Sequence, residues 1–246
     1  MDRYDARSYG EAYADVYDTW YGDMAGADDA VAVLVELAAG GRVLELAVGT
    51  GRLALPLADN GLAVVGVDAS VPMLGHLVAK DAGRSVTPVR ADMAALPFAP
   101  AAFDLAFVAA NSLFNVFSEP GQQRCLADTA AALRPGGALV VEAFVPDERH
   151  RSGGVVEPRT VEPDRVTLFV SKEDPAAQTV AAQIIEITEA GTRLRPVFIR
   201  YLRPHQLDAM AAEAGLQLAD RWAAWDRSAF TADSPAHVSV YRQVRP

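Results

Sequence analysis

Hydrophobic and polar positions follow two different rhythms along the chain. From Arg42 to Phe144, short apolar runs take turns with stretches of helical period. Strands are predicted over Arg42–Ala47, Leu62–Val67, Val86–Arg90, Phe103–Ala109 and Ala138–Phe144, and helices over Leu53–Asn60, Val71–Lys80 and Pro120–Leu133. The runs are mostly apolar, with no strict alternation at every second residue, as in strands covered on both faces. Strand–helix alternation of this kind builds a doubly wound α/β sheet with right-handed crossovers. The last of these helices stops at the break Arg134-Pro135-Gly136-Gly137.

Outside that region the rhythm changes. Helical periodicity is absent from Gly153 to Tyr201, which carries strand-like runs at Val166–Val170, Val180–Thr188 and Leu194–Leu202. An antiparallel insertion of meander type is expected. A helix over His205–Ala214, closed by Gly215, and two final strands, Leu216–Ala224 and His237–Val244, complete the chain, with the last strand antiparallel. At the other end, Tyr9, Tyr13, Tyr17 and Tyr21 are each four residues apart, so one helix would carry them as a single aromatic stripe. That stripe either packs on the body or closes over a ligand. Asp28–Ala39 is a second helix, entered through Asp28-Asp29 and ended at Gly40-Gly41.

Composition narrows the classes. The chain has 246 residues, 51% hydrophobic and 22% charged, which suits a single globular domain. No apolar run reaches the length of a membrane span, and no signal segment is expected from Met1-Asp2-Arg3-Tyr4-Asp5. A net charge of −10 argues against nucleic acid as partner. The single cysteine, Cys125, excludes an internal disulfide and fits a reducing, cytoplasmic setting.

Ligands of an open α/β sheet sit beyond the carboxyl ends of its strands. Those ends carry Glu45, Gly49-Thr50-Gly51, Asp68, Asp92, Asn111-Ser112 and Phe144. Gly49 and Gly51 allow close approach to the backbone. Asp68, 23 residues after Glu45, can accept both hydroxyls of a ribose, or cap the next helix.

Glu45-Leu46-Ala47-Val48-Gly49-Thr50-Gly51 resembles the first motif of class I S-adenosylmethionine-dependent methyltransferases, with Ala47 where the common pattern has glycine. Asp68, Ala91-Asp92-Met93, Phe103-Asp104-Leu105 and Leu133-Arg134-Pro135-Gly136-Gly137 resemble that family's later motifs, in the same order. The resemblance implies a Rossmann-like fold: a seven-stranded, mostly parallel sheet with an N-terminal helical lid and an antiparallel β insertion after strand 5. It implies one methyltransferase domain over 1–246, made of a cap (1–40), a cofactor core (41–146), the insertion (147–203) and a C-terminal part (204–246). The cofactor implied is S-adenosylmethionine, with S-adenosylhomocysteine as product.

Roles follow by resemblance. Glu45 organises the turn, and Ala47, Gly49 and Gly51 line the cofactor with backbone. Asp68 holds the ribose hydroxyls, Met73 packs on the adenine, Asp92 and Met93 read its edge, and Ala69 is a further cofactor contact. Asn111, Arg52 and Tyr17 lie toward the methionine end. The layout is similar to that of small-molecule methyltransferases, including sugar N-methyltransferases, where the N-terminal segment and inserted sheet close the acceptor pocket or support a dimer. Tyr9, Tyr13, Tyr21, Phe144 and Tyr201 are then the candidate acceptor contacts. His150, six residues past Phe144, is the candidate base among four histidines. No cluster has metal-ligand spacing, so a metal-free site is expected. Edge strands of the insertion allow a homodimer. Two other classes stay open: a non-catalytic S-adenosylmethionine-binding or regulatory module, and an NAD-dependent oxidoreductase. The second lacks the third glycine of its fingerprint, since Ala54 stands there.

Overall fold

The computed structural model describes residues 4–22, 24–146 and 154–244. Five strands, β1 (Arg42–Leu46), β2 (Ala63–Asp68), β3 (Val86–Arg90), β4 (Phe103–Val108) and β5 (Leu133–Phe144), run parallel. With the late strands β10 (Leu216–Trp222) and β11 (Ala236–Gln243) they form one sheet ordered β10-β11-β5-β4-β1-β2-β3, in which β11 is antiparallel to both neighbours. The insertion is a second sheet, β6 (Gly154–Val161), β7 (Arg165–Asp174), β8 (Thr179–Thr188) and β9 (Gly191–Arg200), paired antiparallel in chain order. Both sheets were legible as strand periodicity, except that no run was singled out for β6.

Alternation of side chains along each strand divides the core in two. Leu44, Val65, Ala106 and Leu139 face α6 (Glu119–Ala132) and α7 (Pro204–Glu213). Val43, Val64, Leu105 and Val140 face α3 (Ala27–Ala38), α4 (Ala54–Asp59) and α5 (Val71–Lys80). No helix among the described residues is long and apolar enough to cross a membrane.

Two expectations need correction. The four tyrosines do not share one helix: α1 (Ser8–Tyr13) and α2 (Tyr17–Tyr21) are separate. Arg195 of β9 binds the chain at the break. Its guanidinium donates to the Ala12 carbonyl and to both carboxylate oxygens of Asp15, the latter at 2.7 and 3.0 Å. The stripe becomes two pairs, Tyr9 stacked on Tyr13 at 4.5 Å and Tyr17 tilted on Tyr21 at 5.1 Å. The Pro-Gly-Gly break also lies inside a strand, because β5 begins at Leu133. Phe103 pairs with Leu133 and Leu105 with Ala138, so the extra residues form a bulge. Gly136 there has φ +80, and a Cβ on Gly137 would come within 2.8 Å of the Arg134 carbonyl oxygen.

A buried polar network closes the sheet's far edge. Arg221 of β10 binds Asp208 of α7 at 2.5 Å and donates to Ser239 of β11 at 2.8 Å, and Ser239 bonds His237 Nδ1 at 2.8 Å. Burial, reinforced by the Arg221 charge, lowers the His237 pKa from 6.5 to about 4. The unfolded chain therefore binds the proton first on acidification. The histidine's contribution is full above pH 6.5 and is lost as pH falls toward about 4. Urea unfolding at pH 7 and pH 4.5 is expected to show a loss from this group of up to about 3 kcal/mol. His237→Asn is expected to flatten that pH dependence; an unchanged slope would remove His237 as its source.

Candidate active site

The site is built on the turn between β1 and α4. Ala47 has φ +55, Gly49 φ +56 and Gly51 φ +86, all left-handed. A Cβ at Gly49 would meet no atom within 4 Å, whereas one at Gly51 would lie 2.4 Å from Leu77 Cδ1. Gly49 thus borders open space and Gly51 is packed from behind. Asp68, at the end of β2, pins this turn. Its Oδ2 accepts from the Gly49 N–H at 2.9 Å and its Oδ1 from the Ser70 N–H at 2.8 Å. Burial raises the Asp68 pKa, and these N–H groups oppose the rise.

Beneath the turn lies Glu45, 5% exposed, whose Oε2 is buried without a hydrogen-bond partner. Burial holds its carboxyl well above the usual range, with Arg52 opposing and Asp68 reinforcing the rise. The neighbouring Thr50 hydroxyl donates to Asp18 of α2 at 2.5 Å, and Lys80 of α5 reaches the same carboxylate at 3.0 Å. The cap is therefore fastened to the turn itself. Gly10 of α1 closes on α5 so tightly that a Cβ would lie 2.4 Å from Ser70 Cβ.

A cavity of about 320 Å³ opens over the strand ends. Of the residues named from sequence as cofactor contacts, Tyr17, Ala47, Gly49, Asp68, Ala69, Met73, Asp92 and Met93 line it. Tyr9, named as an acceptor contact, lines it too, from the cap side. Met73 is 2% exposed, and Asp92 Oδ1 accepts from the Ala94 N–H at 2.8 Å. Asp68 and Asp92 face the space against one guanidinium, Arg124, which suits a cationic ligand, while Asp5 in the same lining is paired with Arg7 at 2.6 Å.

Other named residues lie outside the lining. Glu45 is buried, Gly51 is backed by Leu77, and Arg52 acts on Glu45 by its charge. Asn111 uses its Oδ1 to accept the Phe144 N–H at 2.6 Å. Phe144 packs edge-on to Phe114 at 5.0 Å. Tyr13 is fully buried and donates to the Arg195 carbonyl at 3.1 Å; Tyr201 is 1% exposed and donates to Glu173 at 2.5 Å. Tyr21 borders a separate cavity of about 370 Å³ between the cap and β6–β7. His150 lies outside the described residues.

Sequence reasoning missed one wall: Asn115, Phe117 and Ser118 beyond β4, with Gly121 and Arg124 of α6. These residues form no motif, and only the preceding Asn111-Ser112 marked the place.

Residues 43–137 match the family model described as a methyltransferase domain. The CcbJ methyltransferase of Streptomyces caelestis superposes with a TM-score of 0.92 at 41% identity, over 98% of this chain and 100% of that one. The chain belongs to the class I S-adenosylmethionine-dependent methyltransferases. The cypemycin N-terminal methyltransferase of a Streptomyces species is 34% identical over 143 residues, 57% of this chain and 58% of that protein. The chain spans about half the length of the curated relatives it matches. CalS10, an amino pentose methyltransferase from Micromonospora echinaspora, shares the fold at a TM-score of 0.71 and 20% identity, over 93% of this chain and 97% of its own.

The residues present fit the methyltransferase cofactor. The orphaned Glu45 Oε2 lacks a donor, the Gly49 backbone is open to the cavity, and the acidic lining complements a sulfonium cation. Ala47 takes a left-handed conformation that glycine adopts without steric cost, which accounts for the family's usual glycine there. Ala47→Gly is expected to stabilise the protein by up to about 1 kcal/mol in urea unfolding. Gly51→Ala is expected to destabilise it by more, through Leu77. Equal midpoints for the two variants would contradict this account of the turn.

Proposed function

We propose that this chain transfers a methyl group from S-adenosylmethionine to an amine nitrogen of a small-molecule acceptor. The observation that carries the reading is one continuous cavity. It joins the turn at Ala47, Gly49 and Asp68 to a cap and wall made by Tyr9, Asn115 and Phe117. When bound, the cofactor supplies a methyl group already activated on a sulfonium.

The chain's own part is binding, alignment and exclusion of water. In this reading Asp68 keeps free lone pairs for the ribose hydroxyls after accepting two backbone N–H groups. Met73 and Ala69 pack on the adenine, and Asp92 with Met93 accepts and donates at its edge. Glu45 and Arg52 support the methionine end, with Asn111 and Tyr17 beside it. Tyr9 covers the reacting space from the cap.

An amine acceptor is favoured because a neutral amine attacks with its lone pair and needs little help from a base. Two titratable groups of the cap that line the cavity, Tyr9 and Asp5, are poor bases. Burial raises the Tyr9 pKa, so its phenol stays protonated, and Asp5 is held low by Arg7. A curated relative named as an N-terminal methyltransferase supports the same acceptor class.

The expected assembly is a cytoplasmic homodimer. In register, Val156, Val161, Ile187 and Leu194 share the outward face of the inserted sheet, and they are 65%, 74%, 41% and 57% exposed. Such a patch marks an interaction surface, here for a second copy. Cys125 suits a reducing compartment: it is buried, and burial pushes its thiol up to about 12.

Calorimetry is expected to show S-adenosylhomocysteine binding, weakened by about 1–3 kcal/mol in Asp68→Ala. S-adenosylhomocysteine release should follow amine acceptors rather than their hydroxyl counterparts. Tight NAD binding without response to either S-adenosyl ligand would overturn the cofactor assignment, and preference for hydroxyls would overturn the acceptor class. Light scattering should give twice the chain mass, reduced to one chain by Val156→Lys with Leu194→Lys; a wild-type monomer would remove the dimer.

A further inference from the structure

The wall that sequence reasoning missed begins at a strained point. Ala110 and Asn111 follow β4 with φ +51 and +64, two consecutive left-handed residues, neither of them glycine. Such a pair persists only where its surroundings over-determine it, and such strain gathers at functional sites.

Its surroundings converge on β5. The Ala110 N–H donates to Glu142 Oε2 at 2.7 Å. The Asn111 N–H donates to the Glu142 carbonyl at 3.2 Å, and the Phe144 N–H donates to Asn111 Oδ1 at 2.6 Å. One residue thus holds both left-handed amides, by side chain and by backbone.

The wall starts directly after this pair. A single 3-10 turn spans Ser112–Asn115, with Leu113 and Phe114 fully buried and Ser112 and Asn115 lining the cavity. Its direction is set by the two residues before it. The Asn115 Oδ1 is buried without a partner, so this wall carries an amide whose hydrogen bonding is incomplete. Glu142 does not line the cavity itself.

We infer that Glu142 is a positioning residue: by fixing the Ala110–Asn111 backbone it aims the Ser112–Asn115 turn at the acceptor. The inference rests on the methyl-transfer reading above. It differs from a structural role because it predicts an effect on acceptor kinetics beyond any effect on folding.

Glu142→Ala removes the acceptor for the Ala110 N–H and Glu142→Gln keeps one. Acceptor kinetics per folded enzyme, S-adenosylhomocysteine affinity and melting temperature are measured for both. E142A is expected to lower kcat/KM for the acceptor by about tenfold or more, mainly through KM, with cofactor affinity changed by less than about threefold. E142Q is expected to restore most of it. Adding Ala110→Gly to E142A guards against failure to fold, since glycine tolerates the conformation without enforcing it. In that double variant stability should return while the acceptor KM stays raised.

A lowered melting temperature with unchanged kcat/KM in E142A would overturn the positioning role. So would full kinetic recovery in the double variant, or a loss in E142Q as large as in E142A. Absence of turnover by the wild-type chain with every amine would instead overturn the methyl-transfer reading, and this inference with it.

Discussion

One carboxylate at the end of β2 organises the ligand-facing side of the molecule. A parallel sheet ends in turns that have no strand partner of their own. Asp68 solves this locally by taking an N–H from the β1 turn with one oxygen and an N–H from the start of α5 with the other. It thereby sets the spacing between two strand ends. Its burial raises its pKa, so the ionised form depends on these donors. The Val48 N–H bond to the Val67 carbonyl at 2.9 Å adds a second tie between the same two strand ends. Gly66 makes room for it, because a Cβ there would lie 2.6 Å from Val48 Cγ2.

The cap is tied to this arrangement from two directions. Thr50, in the turn, holds Asp18 of α2, while Arg195, in the inserted sheet, holds Ala12 and Asp15 between the cap helices. Arg195 is 1% exposed, and its guanidinium pairs with Asp15 and lies near the Trp20 and Tyr13 rings. Lys80 adds less, since its pair with Asp18 is 37% and 44% exposed and solvent screens it. Cap, turn and inserted sheet therefore meet around one space.

Much of this was legible in the sequence because it depends on local rules. The order and type of the strands followed from apolar runs, and Gly49, Asp68 and Asp92 stood out at their ends. The misreadings came from partners distant along the chain. Nothing within Tyr9–Tyr21 announces the break between the two helices, where Arg195 binds Ala12 and Asp15. Pro135-Gly136-Gly137 reads as a break, yet tertiary pairing with β4 absorbs it as a bulge. Tyr13 and Tyr201 carry the right chemistry for acceptor contacts, but their hydroxyls are taken by the Arg195 carbonyl and by Glu173.

The same contrast separates the two ends of the cavity. At the cofactor end the requirement falls on the backbone, so residues must be small, left-handed or acidic, and few sequences satisfy that. At the far end Asn115, Phe117 and Arg124 present side chains, and Glu142 holds the backbone of Ala110 and Asn111 just ahead of them. A wall held from behind can change its exposed side chains without disturbing its support. It therefore needs no recurring pattern, which explains why the cofactor end was readable from its motifs while this wall was not, although both lie within the matched residues 43–137. The left-handed pair Ala110–Asn111 stands between the two ends, both of its amides held by Glu142.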